Sequence, residues 1–177
     1  GGFADLPGTV ILASGGDLDA ARYHFLAVRP WLTIKSRGAN VDLESGRESR
    51  SFQGNPFDLL RQVLCEFDMS DAGLPEPAAA GLFGYLSYDL KDFIEDLPRT
   101  TVDDSNLPEL CFYAPSVLLV ADRHTGRFSL CIPVFRDSGN ERLRRLRNWF
   151  FDRLRNRPGP DAQSFAGGGR GFWSPFS

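Results

Sequence analysis

The sequence predicts an α+β domain built mainly from antiparallel strands, with three helices. Short runs rich in β-branched and aromatic residues recur between turn-forming Gly, Asn and Asp, several of them at hairpin spacing. Three other segments, 55–67, 89–97 and 140–157, place apolar residues at helical intervals instead. The length fits: 177 residues accommodate one well-buried domain of about 100–150 residues plus tails.

Thr9 to Ser14 is a short β-branched strand ending in the turn Gly15-Gly16-Asp17. Arg22 to Val28 and Trp31 to Ser36 read as two further strands, broken at Arg29-Pro30. Pro30 has no N–H to give to a ladder, so a bend or an edge belongs there. Val41 to Glu44 and Arg47 to Phe52 flank Ser45-Gly46 as a polar hairpin. Asn55-Pro56 opens a helix with a capping side chain and a first-turn proline. Phe57, Leu60, Leu64 and Phe67 then share one face, widened by Leu59 and Val63. Asp68 to Ala79, with Gly73, Pro75 and Pro77, is a loop.

Ala80 to Leu90 is the most informative stretch. Phe83 and Tyr85 fall on one side of a strand and Leu82 and Leu86 on the other, so both faces call for cover, as inside a layered domain. Gly81 and Gly84 give up packing, which suits close approach by another backbone or a bulky side chain. Asp89 is the expected cap of a short helix burying Leu90, Phe93, Ile94 and Leu97 and stopped by Pro98. Arg99 to Asn106 is a polar loop whose Asp103-Asp104 lacks the further ligands an ion needs. Leu110 to Tyr113, Ser116 to Asp122 and Arg127 to Phe135 are strands, the last two a hairpin across His124-Thr125-Gly126. Asn140 to Arg157 is amphipathic: Leu143, Leu146, Phe150 and Leu154 form a stripe, with Arg142, Arg145, Arg153 and Arg157 off it. From Pro158 to Ser177 the composition turns to Gly, Pro and Ser. The chain therefore divides into a domain, 1–157, and a linker, 158–177.

A net charge of −3 and a pI near 5.4 give no general attraction to nucleic acid or anionic lipid. No apolar run approaches the roughly 18 residues that span a bilayer. The arginine-rich helix could serve a nucleic acid, a membrane surface or a partner. Without aromatic or glycine patterning for base stacking, a solvated face whose arginines pair with the acidic surface is the expected reading. Cys65, Cys111 and Cys131 stand singly in apolar surroundings and read as reduced core residues. His24 reads as a packed or surface residue and His124 as a turn residue. No nucleophile–base pair, phosphate loop or ligand cluster is evident, so no catalytic and no metal-binding residue is assigned.

Gly81-Leu82-Phe83-Gly84-Tyr85-Leu86-Ser87-Tyr88-Asp89, followed by Glu95, Leu97-Pro98 and Leu107-Pro108-Glu109, resembles the N-terminal region of the chorismate-utilising amination enzymes. These are component I of aminodeoxychorismate synthase and of anthranilate synthase. The opening segment matches too, in Leu12, Ser14, Arg22, Tyr23 and Pro30. The resemblance implies part of an α/β/β/α fold, in which two stacked antiparallel sheets lie between helices. It implies a cytoplasmic protein whose catalytic domain follows on the same polypeptide. There, magnesium held by carboxylates acts as a Lewis acid, and ammonia from a glutamine amidotransferase subunit displaces a ring hydroxyl of chorismate.

The same resemblance implies that Leu12, Ser14, Arg22 and Tyr23 form one wall of a tryptophan pocket. Ser14 offers a hydroxyl and Arg22 a fork for a carboxylate. Alternatively Ser14 merely ends a strand and Arg22 pairs with Asp17 or Asp19. Ala13 stands where many anthranilate synthases have Glu, and the opening segment is short. Both favour the aminodeoxychorismate branch, which leads to p-aminobenzoate and folate, over anthranilate synthase of tryptophan biosynthesis. From another class, a stand-alone amino-acid-binding regulatory module is the alternative.

Overall fold

The computed structural model describes residues 2–16, 21–68, 79–95, 106–135 and 139–156. Seven strands, β1 (Val10–Leu12), β2 (Tyr23–Arg37), β3 (Asn40–Ser45), β4 (Glu48–Gln53), β5 (Phe83–Leu86), β6 (Leu110–Asp122) and β7 (Phe128–Cys131), form one antiparallel sheet. Helices α1 (Pro56–Glu66) and α2 (Asn140–Arg155) and a 3-10 helix, Tyr88–Phe93, accompany it. The proposed boundary after 157, the linker 158–177, Asp17, Asp19 and Asp103-Asp104 lie outside the described residues.

Two expected breaks are absent. Arg22 to Val28 and Trp31 to Ser36 belong to the single strand β2, and Leu110 to Tyr113 runs on into Ser116 to Asp122 as β6. The irregularity at Arg29-Pro30 is a bulge: Arg29 takes φ 52° and the register shifts between Pro30 and Leu32. Pro30 lies opposite Pro115, so the two missing donors coincide on one rung and the ladder resumes on either side of it.

The bulge divides the sheet into two halves sharing β2 and β6. Before it the strands run β1-β2-β6-β7; beyond it, β4-β3-β2-β6-β5. The α+β class holds, while the expected stack of two sheets is, among the described residues, one connected sheet. Each half has its own core. Leu32, Ile34, Val41, Leu110 and Ala114 pack with Val63 of α1 and Leu90 of the 3-10 helix. Val28 and Val117 pack with Phe3 and with Leu146 and Phe150 of α2. Strand alternation puts Ala27, Leu118 and Val120 on the opposite face, where Phe83 joins them.

Several local expectations hold. Asn55 caps α1, its Oδ1 accepting from the Phe57 N–H at 2.9 Å. Gly46 (φ 62°) turns the β3–β4 hairpin and Gly126 (φ 69°) lies in the turn between β6 and β7. Others need correction. The inner face of α1 centres on Pro56 and Val63, leaving Leu64 and Phe67 exposed, although the Phe67 ring still meets Trp31 of β2 edge-on with centres 5.0 Å apart. Ser87, not Asp89, caps the 3-10 helix: Ser87 is still extended and its Oγ accepts from the Asp89 N–H at 3.2 Å. β5 is an edge strand, with Phe83 buried but Tyr85 and Leu86 exposed. Cys111 is buried and Cys131 half-buried, but Cys65 is exposed on α1.

The arginines of α2 also differ from expectation. None of the ion pairs among the described residues involves this helix. Arg142 donates to the Pro133 carbonyl at 2.8 Å and to Ser116 Oγ at 3.4 Å, and Arg153 donates to the Gly2 carbonyl. Backbone carbonyls at both ends of the helix thus take the place of the acidic partners.

Candidate functional site

Leu12, Ser14, Arg22 and Tyr23 meet at the outer end of the first half-sheet. Leu12 ends β1 opposite Phe25, and the next residues bring Ser14 beside the start of β2. Ser14 Oγ donates to the Tyr23 carbonyl at 2.7 Å, and the Ser14 N–H donates to Nδ1 of half-buried His24 at 3.0 Å. The two bonds fix the Ser14 backbone and spend its hydroxyl proton, leaving Oγ as an acceptor.

Arg22 donates through Nε and Nη2 to the two carboxylate oxygens of Asp122, at 3.1 and 2.7 Å. Its guanidinium lies 4.9 Å from the centre of the Tyr23 ring. Asp122 is 6% exposed and also accepts from the N–H groups of His124 at 2.9 Å and Thr125 at 3.4 Å. The Arg22 guanidinium, helped by those donors and opposed by burial, holds the Asp122 carboxyl well below the usual carboxylate range. Arg123 completes the corner: its N–H donates to the Arg22 carbonyl at 2.8 Å, and its Nη1 to the carbonyls of Gly16 and Ala21 at 3.1 and 2.7 Å.

The corner therefore has the predicted members and one that sequence reasoning missed. Asp122, 100 positions from Arg22, occupies the bidentate edge that a ligand carboxylate would otherwise use. The available signal was a single acid closing the apolar run Val117 to Ala121, just before a turn.

A depressed folded pKa stabilises the fold above the unfolded carboxylate value, about 4, and that contribution is lost as pH falls through and below it. The stability gap between the parent and an Asp122→Asn chain should thus be widest at neutral pH and narrow as pH drops below about 4. Urea midpoints at neutral and acid pH check this, and a gap independent of pH would contradict it.

A second feature was not anticipated. A cleft of about 780 Å3 lies over the second half-sheet, lined among others by Lys35, Arg37, Tyr85, Cys111 and Tyr113. The Tyr113 phenol is pushed up to about 12 by its hydrogen bond with Cys111, by burial and by the neighbouring Cys111, Tyr85 and Glu44. Burial first, then Cys111, raises Tyr85, against the pull of Arg37, and Tyr85 donates its hydroxyl to the Pro108 carbonyl at 3.0 Å. Phenols shifted upward stay neutral near pH 7 and serve as hydrogen-bonding groups rather than bases.

Among the described residues no three His, Cys, Asp or Glu side chains come together to hold a metal ion. No described helix is long and apolar enough to cross a membrane.

No protein-family model matches the sequence. Against curated proteins, it is 33% identical over 132 residues to anthranilate synthase component 1 of Cereibacter sphaeroides, covering 71% of this chain and 26% of the relative. It is 30% identical over 154 residues to anthranilate synthase component 1 of Mycolicibacterium smegmatis, covering 84% of this chain and 28% of that one. The chain belongs to the chorismate-utilising enzyme family. Within that family it corresponds to the N-terminal part, and it spans about a quarter of the length of the curated relatives it matches. The crystal structure of anthranilate synthase component I from Streptococcus pneumoniae superposes with a TM-score of 0.66 at 20% identity, over 82% of this chain and 32% of that one. At that identity the structural likeness speaks for the family's fold alone.

Proposed function

We propose that this chain is the N-terminal, non-catalytic region of an anthranilate synthase component 1, acting as scaffold and as one wall of an amino-acid pocket. The carrying observation is that the relatives it matches across 71% and 84% of its length bear that name. This favours the anthranilate reading over the aminodeoxychorismate one, for which Ala13 and the short opening segment speak. Chorismate, magnesium and the ammonia-supplying amidotransferase subunit would be engaged by the remainder of such an enzyme, in the cytoplasm.

For the pocket, the support is geometric. Ser14 Oγ keeps acceptor capacity for an ammonium group, Leu12 and Tyr23 offer apolar surface, and Asp122 and Arg123 fix the backbone between them. A ligand carboxylate would have to be held by groups other than the Nε/Nη2 edge of Arg22, since Asp122 holds that edge.

The test is product identification on the polypeptide of the full reading frame, supplied with chorismate, magnesium and ammonia. Anthranilate is expected; aminodeoxychorismate would move the chain to the other branch. The 177-residue chain alone should give no turnover, and turnover would overturn the non-catalytic assignment. A thermal-shift series across free amino acids on the same chain separates half a pocket, with no shift, from a stand-alone tryptophan-binding module.

A further inference from the structure

The two arginines of α2 that turn inward leave a separate set facing out. Arg144, Arg147 and Arg155 are exposed, and with Asn148 and Phe151 they fall three, four, seven and eleven positions apart, one stripe about 16 Å long on a helix rising 1.5 Å per residue. Phe151 is 43% exposed in the middle of it. A hollow of about 490 Å3 is lined there by Arg147, Asn148, Phe151, Asp152 and Arg155.

We propose that this stripe is a docking surface for an acidic segment of a partner protein, with carboxylates meeting Arg144, Arg147 and Arg155 and one apolar side chain seated against Phe151. Charge complementarity carries the assignment. α2 has six arginines against Glu141 and Asp152, a net of +4, in a chain whose total is −3. No ion pair among the described residues involves these arginines.

A compact basic stripe on one face of one helix suits a short acidic element. The polar groups agree: Asn148 both donates and accepts and Asp152 only accepts, which suits a polypeptide with its own N–H donors, whereas a phosphate backbone offers acceptors alone. Exposed arginines around one aromatic residue have the composition of an interface hot spot rather than of ordinary solvated surface. The proposal is independent of the enzyme reading above, since it rests on no pocket residue and no relative.

The test is fluorescence anisotropy at low salt with the whole chain. The probes are a short Asp/Glu-rich peptide carrying one central Leu, the same peptide with Ser in place of Leu, oligothymidylate, and phosphatidylserine vesicles. The Leu peptide should bind, the Ser peptide several-fold more weakly. Arg147→Glu with Arg155→Glu should weaken the Leu peptide by roughly tenfold or more, and Phe151→Ser should remove the preference for Leu. All three substituted side chains are exposed, and an unchanged circular-dichroism melt verifies the fold. Absence of peptide binding, equal binding by the variants, or tighter binding to oligothymidylate or vesicles would each overturn the proposal. So would a concentration-dependent dimer dissolved by the same charge reversals, which would assign the stripe to a second copy of the chain.

Discussion

A Gly84→Ala chain should lose about 3 kcal/mol or more of stability, or fail to fold. The cause is local and severe. A Cβ at position 84 would stand 1.9 Å from the Cys111 carbonyl oxygen and 2.9 Å from the Phe112 Cα. These are backbone atoms of the central strand β6, which cannot step aside as a flexible side chain can. β5 would have to leave its ladder, breaking the pairing from Phe83↔Tyr113 to Leu86↔Leu110. Phe83 would go with it, and Phe83 lies 5.8 Å from Phe25, itself 6.1 Å from Tyr23. The damage therefore reaches the Ser14–Arg22 corner through three aromatic rings. Urea denaturation of parent and variant measures the loss. Gly54→Ala is the control, since a Cβ there meets nothing within 4 Å and should change stability by no more than about 0.5 kcal/mol. Equal midpoints for parent and Gly84→Ala would mean that β5 does not sit against β6 as described.

The requirement at Gly84 was legible in the sequence because a glycine inside an aromatic strand forfeits packing and stiffness, a loss that close approach by a neighbouring backbone demands. So were the hairpins, through Gly46 and Gly126, and the start of α1, through Asn55-Pro56. Local chemistry decides each of these, and local chemistry is what a sequence displays. The continuity of β2 and β6 was not legible. A proline usually ends a strand, and only the pairing of Pro30 with Pro115, a fact of register between distant segments, lets both strands continue. The inner face of α1 was misplaced as well: Leu64 and Phe67 continue the apolar pattern, but the buried contact with the sheet is made by Pro56 and Val63.

At the site the division is the same. Ser14, Arg22 and Tyr23 stand close in sequence and could be grouped in advance. Asp122 and Arg123 join them only because antiparallel pairing brings the end of β6 to the start of β2. The cleft over Lys35, Tyr85, Cys111 and Tyr113 is drawn from five strands, β1, β2, β3, β5 and β6, whose order no periodicity reveals. Strand runs and helical spacing supplied the fold class and the family resemblance its candidate pocket, but the use of the Arg22 fork by Asp122 had to come from geometry.

Phe150→Ala should cost about 3–5 kcal/mol, the largest effect expected of any substitution in α2. Phe150 is 1% exposed, stacks on Phe3 with ring centres 5.0 Å apart and meets Phe151 edge-on at 5.9 Å. Its removal leaves a cavity between the helix and Val28 and Val117 of the sheet, which rigid strands cannot close. The consequence should extend beyond the helix, because Phe3 is the main anchor of the segment that leads into β1 and Ser14. The Thr9 hydroxyl donates to the Phe3 carbonyl at 2.8 Å and so couples that anchor to the strand. Hydrogen exchange should show faster opening of β1 as well as α2 in the Phe150→Ala chain. If the two rings act as one contact, Phe3→Ala and Phe150→Ala should combine less than additively, with a coupling of roughly 1 kcal/mol. Fully additive losses, with β1 exchanging at the parental rate, would show that the N-terminal segment is held by the sheet alone and that α2 does not support the corner.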